Sequence, residues 1–328
     1  MTIRVALGWH GELTDSSLDY AVQLGVEGLI IHVPDAPVVD GAWQAVDLQA
    51  LRNRVERHGL RLFSIENTQW DMYSDCMWGG PRADEQLAAY CRTVRNIGEA
   101  GIGVLGFCWM HLEGWGYMDD VGPEGRGGAV VRRFDQGRED PGFLIRGRVI
   151  GEAEMWGHFE RFITTVAPVA EEAGVRLALH PDDVPIPMFG GIARIFSSFD
   201  GARRAVEEVC DSPSFGLNFC LGTWSEMSPA ALDHMEHFAA RGKIVYLHFR
   251  DVKGHVPAFE ECFLGEGNYD PVDVLVRLRR TGFDGFLEED HVPVMEGDTT
   301  GWGARGRAYT TGYIQGLLRA VEKLDVPR

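Results

Sequence analysis

The chain has 328 residues, 45% hydrophobic and 24% charged, with a formal net charge of −18. That length suits one elaborated barrel domain, and the negative balance excludes a chain built to hold nucleic acid or an anionic membrane, since either needs a basic face. A small anionic substrate is not excluded, because it responds to local charge.

Strand-like and helix-like runs alternate along the sequence. RVALGWH (4–10) precedes a helical pattern around 16–25, GLIIHVP (28–34) one near 47–59, and RLFSIEN (61–67) one near 84–100. GVLGFCW (103–109) opens onto a long irregular stretch that ends at a helix over 155–173. RLALHPD (176–182), a helix at 199–210, FGLNFCLG (215–222) and a helix at 228–241 follow. IVYLHFRDV (244–252), a helix at 270–281, GFLEEDH (285–291) and a last helix near 304–323 complete eight strand–helix units. The apolar runs are short and nearly continuous, as in strands buried on both faces, and Phe159, Phe162, Ile163 and Val166 keep helical spacing. Gly25, Gly59, Gly101, Gly174, Gly242 and Gly282 each follow a helical pattern, where a left-handed cap suits glycine. The pattern predicts an α/β fold, a single (β/α)8 TIM barrel spanning the chain.

Residues 110–150 are rich in Gly, Arg and Asp and include Trp115, Tyr117 and Phe134 without periodicity. Following strand four on the active face, they are expected to form a lid or substrate-contact segment; the alternative is a surface insertion serving oligomer contacts. The six cysteines form no CxxC pair and suit reduced thiols. No apolar run reaches membrane-spanning length and the opening residues carry no secretory pattern, so a cytoplasmic protein is expected.

Four consecutive strand runs end in a metal-binding side chain: His180, Cys220, His248 and Asp290. Each alone has a plain structural alternative, but all four leave their strands in one direction, which describes a metal site at a barrel mouth. Cysteine beside histidine argues against Mg2+ or Ca2+; softness favours Zn2+, with Mn2+, Fe2+ and Co2+ also compatible. Asp182, Asp183, Glu288, Glu289 and His291 are candidates for proton transfer, His291 foremost because an imidazole exchanges protons near neutral pH. Arg194, Arg250, Arg305 and Arg307 are candidates to hold a carboxylate. Glu66 and Asn67 at the end of strand three, and His32 at the end of strand two, also face the mouth.

The run LALHPDDVPIPMFGGIARIFSSFDGARRAV, with SPSFGLNFCLGT, YLHFRDV, AFEECFLGEGNYD, EEDH, VRRFDQG and GRAYTTGYIQGL, closely resembles the mannonate dehydratase family. The resemblance implies a xylose-isomerase-like barrel that uses Mn2+ or a related divalent ion to remove water from D-mannonate, giving 2-keto-3-deoxygluconate. It places metal ligands on His180, Cys220, His248 and Asp290, and a catalytic acid/base on His291. A homo-oligomer is expected, since barrels of this type commonly form dimers or tetramers.

The chain departs from the family at Glu288 and Glu289, where Arg-Pro is usual, at Val292 in place of glycine, and at Trp302 in place of a tyrosine. Asp182 and Glu289 join His291 as candidate catalytic groups. Trp302, Arg194, Arg250, Glu66 and Arg307 are the candidate substrate contacts. The main alternative is a metal-dependent sugar isomerase or epimerase, which fits the added carboxylates Glu288 and Glu289. A lyase on a modified sugar stacked on Trp302, and a metal-holding binding protein, are further readings.

Overall fold

The structure, a computed structural model, describes residues 3–110, 121–299 and 301–324. Eight strands close into a parallel barrel: β1 (Arg4–His10), β2 (Gly28–His32), β3 (Arg61–Glu66), β4 (Val104–Cys108), β5 (Arg176–His180), β6 (Phe215–Cys220), β7 (Ile244–His248) and β8 (Phe286–Glu288). Each strand pairs with its chain neighbours, and β8 closes on β1 through the registers Arg4↔Phe286 and Val5↔Leu287. With only 3 residues, β8 is the shortest strand of the barrel.

The outer layer consists of α1 (Asp15–Leu24), α2 (Ala45–Arg57), α3 (Ala83–Glu99), α4 (Glu152–Ala173), α5 (Phe199–Arg203), α6 (Ala231–Ala240), α7 (Pro271–Thr281) and α8 (Ala304–Glu322). α4 is amphipathic by its sequence: Phe159, Phe162, Ile163 and Val166 are all buried against the barrel. It stops at Gly174, whose φ of 68° is the left-handed cap expected there, and the other five predicted cap glycines also have positive φ.

Most of the core lies between strands and helices, while a second cluster fills the barrel interior: Ala6, Ile30, Phe63, Ala178, Val245, Tyr246 and Phe286. There the Phe286 ring stacks on Phe63 at 4.9 Å and on Tyr246 at 5.1 Å. Side chains two residues further along a strand point the same way one layer higher. The aromatic layer is therefore the floor beneath the side chains at the strand ends.

Three expectations are revised. The run 244–252 is not one strand: β7 stops at His248, and Asp251–His255 begins a hairpin with Ala258–Cys262. The helix at 199–210 is α-helical only to Arg203 and continues as a π-helical turn over Arg204–Val209. The long segment is not wholly irregular: Val131–Asp135 pairs with Ala258–Cys262 and Val121–Gly122 pairs with Val131–Asp135, making a four-stranded sheet with the hairpin. Phe134 is buried there against Phe259 at 5.6 Å. Trp115 and Tyr117 lie outside the described residues.

Candidate metal centre and acid/base site

All eight barrel strands end in a side chain able to bind a metal or a proton: His10, His32, Glu66, Cys108, His180, Cys220, His248 and Glu288. Register keeps neighbours level, since His10 pairs with His32 and His32 with Glu66, Cys108 with His180, and Cys220 with His248 and His248 with Glu288. Asp290 is added just past β8 by a left-handed backbone, φ 50°. Asn67 and Val33, each one residue beyond a strand end, also have positive φ, a strain that concentrates at functional mouths.

The structure brings four of the predicted ligands together. His180, Cys220, His248 and Asp290 are all buried, and their donor atoms lie within 4.8 Å of one another. Cys220 Sγ is 3.8 Å from Asp290 Oδ2, and His248 Nδ1 is 3.4 Å from the same oxygen. His180 Nδ1 lies 2.7 Å from the Pro181 carbonyl, which leaves Nε2 as the nitrogen able to ligate. Burial alone would raise the Cys220 thiol; the Arg250 charge and hydrogen bonds from His180 and His248 overcome it and bring the group to about 5. Burial works against ionised Asp290 as well, but the neighbouring His291 and His248 hold it well below the carboxylate range.

Three residues fit a cation from the other side of His248. Its Nε2 is 3.0 Å from Glu66 Oε2, which also accepts from the Tyr246 hydroxyl at 2.6 Å. Gly106 makes this possible, because a Cβ there would lie 2.2 Å from the Tyr246 oxygen. Glu288 lies 3.2 Å from His32 Nε2 and 3.4 Å from His248 Nε2. His32, Glu66 and Glu288 form a second buried group of potential ligands.

His291 sits beside the first group, its Nε2 at 3.8 Å from Asp290 Oδ1. Its Nδ1 is 2.6 Å from Glu261 Oε1, on the hairpin, and Glu261 Oε2 is 3.6 Å from Arg132 of the long segment. Burial opposes the Glu261 charge, but His291 and then Arg132 and Arg250 bring its carboxyl down to about 2. With Nδ1 engaged by the Glu261 carboxylate, Nε2 is the ring nitrogen left on the Asp290 side. Neither Glu261 nor Arg132 was singled out from the sequence; the signal available was the VRRFDQG and AFEEC motifs, whose facing depends on strand pairing between residues far apart.

The remaining candidates are distributed around this core. Arg250 is buried and divided among Asp290 (3.0 Å), Glu226 (2.9 Å) and Asp183 (2.6 Å), so the structure places it under the ligands. Arg194 is also buried, donating to the Asp183 carbonyl at 3.1 Å. Asp182 accepts from the Phe196 amide at 2.6 Å, and burial raises it to about 6. Glu289, raised by burial to about 7, accepts from Arg307 at 2.7 Å. Trp302 is half-buried, edge-on to Trp9 at 4.4 Å and under the Arg307 guanidinium, with its Nε1 donating to the Gly8 carbonyl at 3.3 Å. Arg305 is exposed and donates to the Glu296 carbonyl.

A sequence model described as D-mannonate dehydratase (UxuA) matches residues 1–146 and 141–327. The chain belongs to the D-mannonate dehydratase family. Within it, mannonate dehydratase 2 of Halalkalibacterium halodurans is 29% identical, over 97% of this chain and 99% of that protein. Mannonate dehydratase of Thermotoga maritima is 27% identical over 98% of this chain and 99% of its own length. The crystal structure of mannonate dehydratase from Streptococcus suis serotype 2 superposes with a TM-score of 0.87 at 28% identity, covering 98% of this chain and 94% of that one. A structure of L-ribulose 3-epimerase matches at 14% identity and a TM-score of 0.65, over 98% of this chain and 96% of that one, a likeness of fold alone.

Proposed function

We propose that this family member is a metal-dependent carbon–oxygen lyase that removes water from D-mannonate or a closely related aldonate, releasing a 2-keto-3-deoxy acid. The observation that carries the reading is the meeting of two imidazoles, a thiolate-favouring cysteine and a carboxylate within 4.8 Å, with His291 alongside. The donor set fits a divalent first-row ion: Cys220 is poised to be a thiolate, and buried His248 Nδ1 has no well-formed hydrogen bond of its own. His180, Cys220, His248 and Asp290 would hold that ion, Mn2+ in our reading with Fe2+, Co2+ and Zn2+ as alternatives. When bound, it supplies Lewis-acid charge beside the sugar-acid oxygens, which lowers the cost of removing the proton next to the carboxylate.

The protein side chains do the rest. His291, oriented by Glu261, exchanges a proton at Nε2, taking it from carbon or giving it to the departing hydroxyl. Glu289 and Asp182, both raised toward neutrality by burial, are second candidates for the opposite proton transfer. Arg194, Arg307, Glu66 and Trp302 are proposed to shape the substrate end of the mouth. Arg250 is assigned instead to balancing Asp290 and Asp183, given its four carboxylate partners.

Incubating Mn2+-loaded protein with D-mannonate and a panel of aldonates should release a 2-keto-3-deoxy acid detectable colorimetrically. No keto acid from any of them would refute the reading. An isomerase or epimerase would instead convert its sugar with no loss of water.

A further inference from the structure

The trio His32, Glu66 and Glu288 stands apart from the four ligands described above, although His248 touches both groups. All three side chains are buried, at 8%, 3% and 0% exposure, and their donor atoms lie within 4.8 Å of one another. That span needs only a small contraction to bind one ion at bond lengths of about 2.0–2.2 Å. Glu288 Oε2 is buried without a hydrogen-bond partner, its imidazole neighbour His248 Nε2 standing at 3.4 Å. Room for the carboxylate comes from Gly8, where any Cβ would fall 1.8 Å from Glu288 Oε1.

Charge points the same way. Once His248 ligates through Nδ1, it is a neutral imidazole whose Nε2 hydrogen serves Glu66. Two buried carboxylates then face His32 as their one remaining partner of possible positive charge within the trio, while Arg307 is engaged by Glu289. A dication balances both carboxylates and a single imidazolium balances one; leaving a buried charge uncompensated is costly.

We infer that His32, Glu66 and Glu288 form a second divalent-cation site, across His248 from the first. One imidazole and two carboxylates make it the harder of the two, suited to Mn2+ or Mg2+, whereas the thiolate gives the first site an affinity for Zn2+ and Co2+. The inference rests on the reading of His248 as a ligand of the first ion, and on nothing in the dehydration chemistry.

The test is a metal count on the full chain. Protein stripped with a chelator and dialysed against saturating Mn2+ should hold two equivalents per chain by elemental analysis. His32→Ala and Glu288→Gln should each hold one. Loading with Co2+ gives a second readout, a thiolate-to-cobalt absorption band from Cys220, which both variants should keep. One equivalent in the unmodified protein overturns the inference, as do two equivalents in both variants. Loss of the cobalt–thiolate band in both also overturns it, because the trio would then be a prop for the first site. Since nothing in the count depends on turnover, failure to dehydrate any aldonate leaves it intact.

Discussion

The two sides of His248 are built from different chemistry. Toward the Cys220 side lie a thiolate-favouring sulfur, a second imidazole and Asp290, backed by Arg250 and His291. Toward the Glu66 side lie two carboxylates and His32, backed by the Tyr246 hydroxyl and the His10 ring, stacked on His32 at 3.8 Å. The first side is soft and has His291 beside Asp290; the second is hard and is lined by the exposed His10 ring. One imidazole, His248, therefore touches both groups.

The sharpest way to break that comparison is to exchange the soft donor. Cys220→Ser should lose the first ion and lower turnover by about four decades, several kcal/mol of barrier. Elemental analysis alongside keto-acid release checks both, and retained metal with retained rate would erase the distinction between the sides. Next in size is His291→Asn, for which kcat should fall by about two to four decades with the metal retained. His32→Asn run in parallel should fall less; an equal or larger loss would move the proton chemistry to the hard side.

A smaller effect separates the supports. Glu261 is pulled from the ordinary 4.5 to about 2, so its stabilisation is present above 4.5 and is lost as pH falls through 2. The whole of that contribution is about 3 kcal/mol, from the shift in linkage. Glu261→Gln should thus be less stable than the parent at pH 6 by denaturant titration, and the gap should narrow by pH 3. A gap that stays constant would mean that the carboxylate charge is not what holds His291.

The barrel was largely legible in the sequence because its strands are nearly continuous apolar runs and its helix stops are marked by glycine. Strand boundaries at the mouth were less legible. Phe249 and Arg250 continue an apolar-looking run, yet the chain turns there so that Arg250 can reach Asp290, Glu226 and Asp183. From sequence, Arg250 looked like an anion holder; its burial among carboxylates depends on residues 24 and 67 positions back and one 40 positions ahead, which no local pattern records. The same holds for Glu288 against His32, a pair separated by 256 residues. The ladder Val121–Gly122 and Val131–Asp135 escaped notice because short strands among glycine and arginine carry little periodicity, and their partner is a hairpin beyond β7.

The brevity of β8 has a consequence for how the molecule opens. Two register pairs tie this strand to β1 and two to β7, so the barrel closes on a short strand held by few pairs on either side. Asp290, two residues past that strand, belongs to the same buried group as donors from β5, β6 and β7. An ion bound there clips the last strand to the three before it and raises the free energy of local opening at the closure by its own binding energy. If the proposed ion binds, its loading and the integrity of the barrel form one equilibrium, and β8, the strand that closes the barrel, is the strand it would protect.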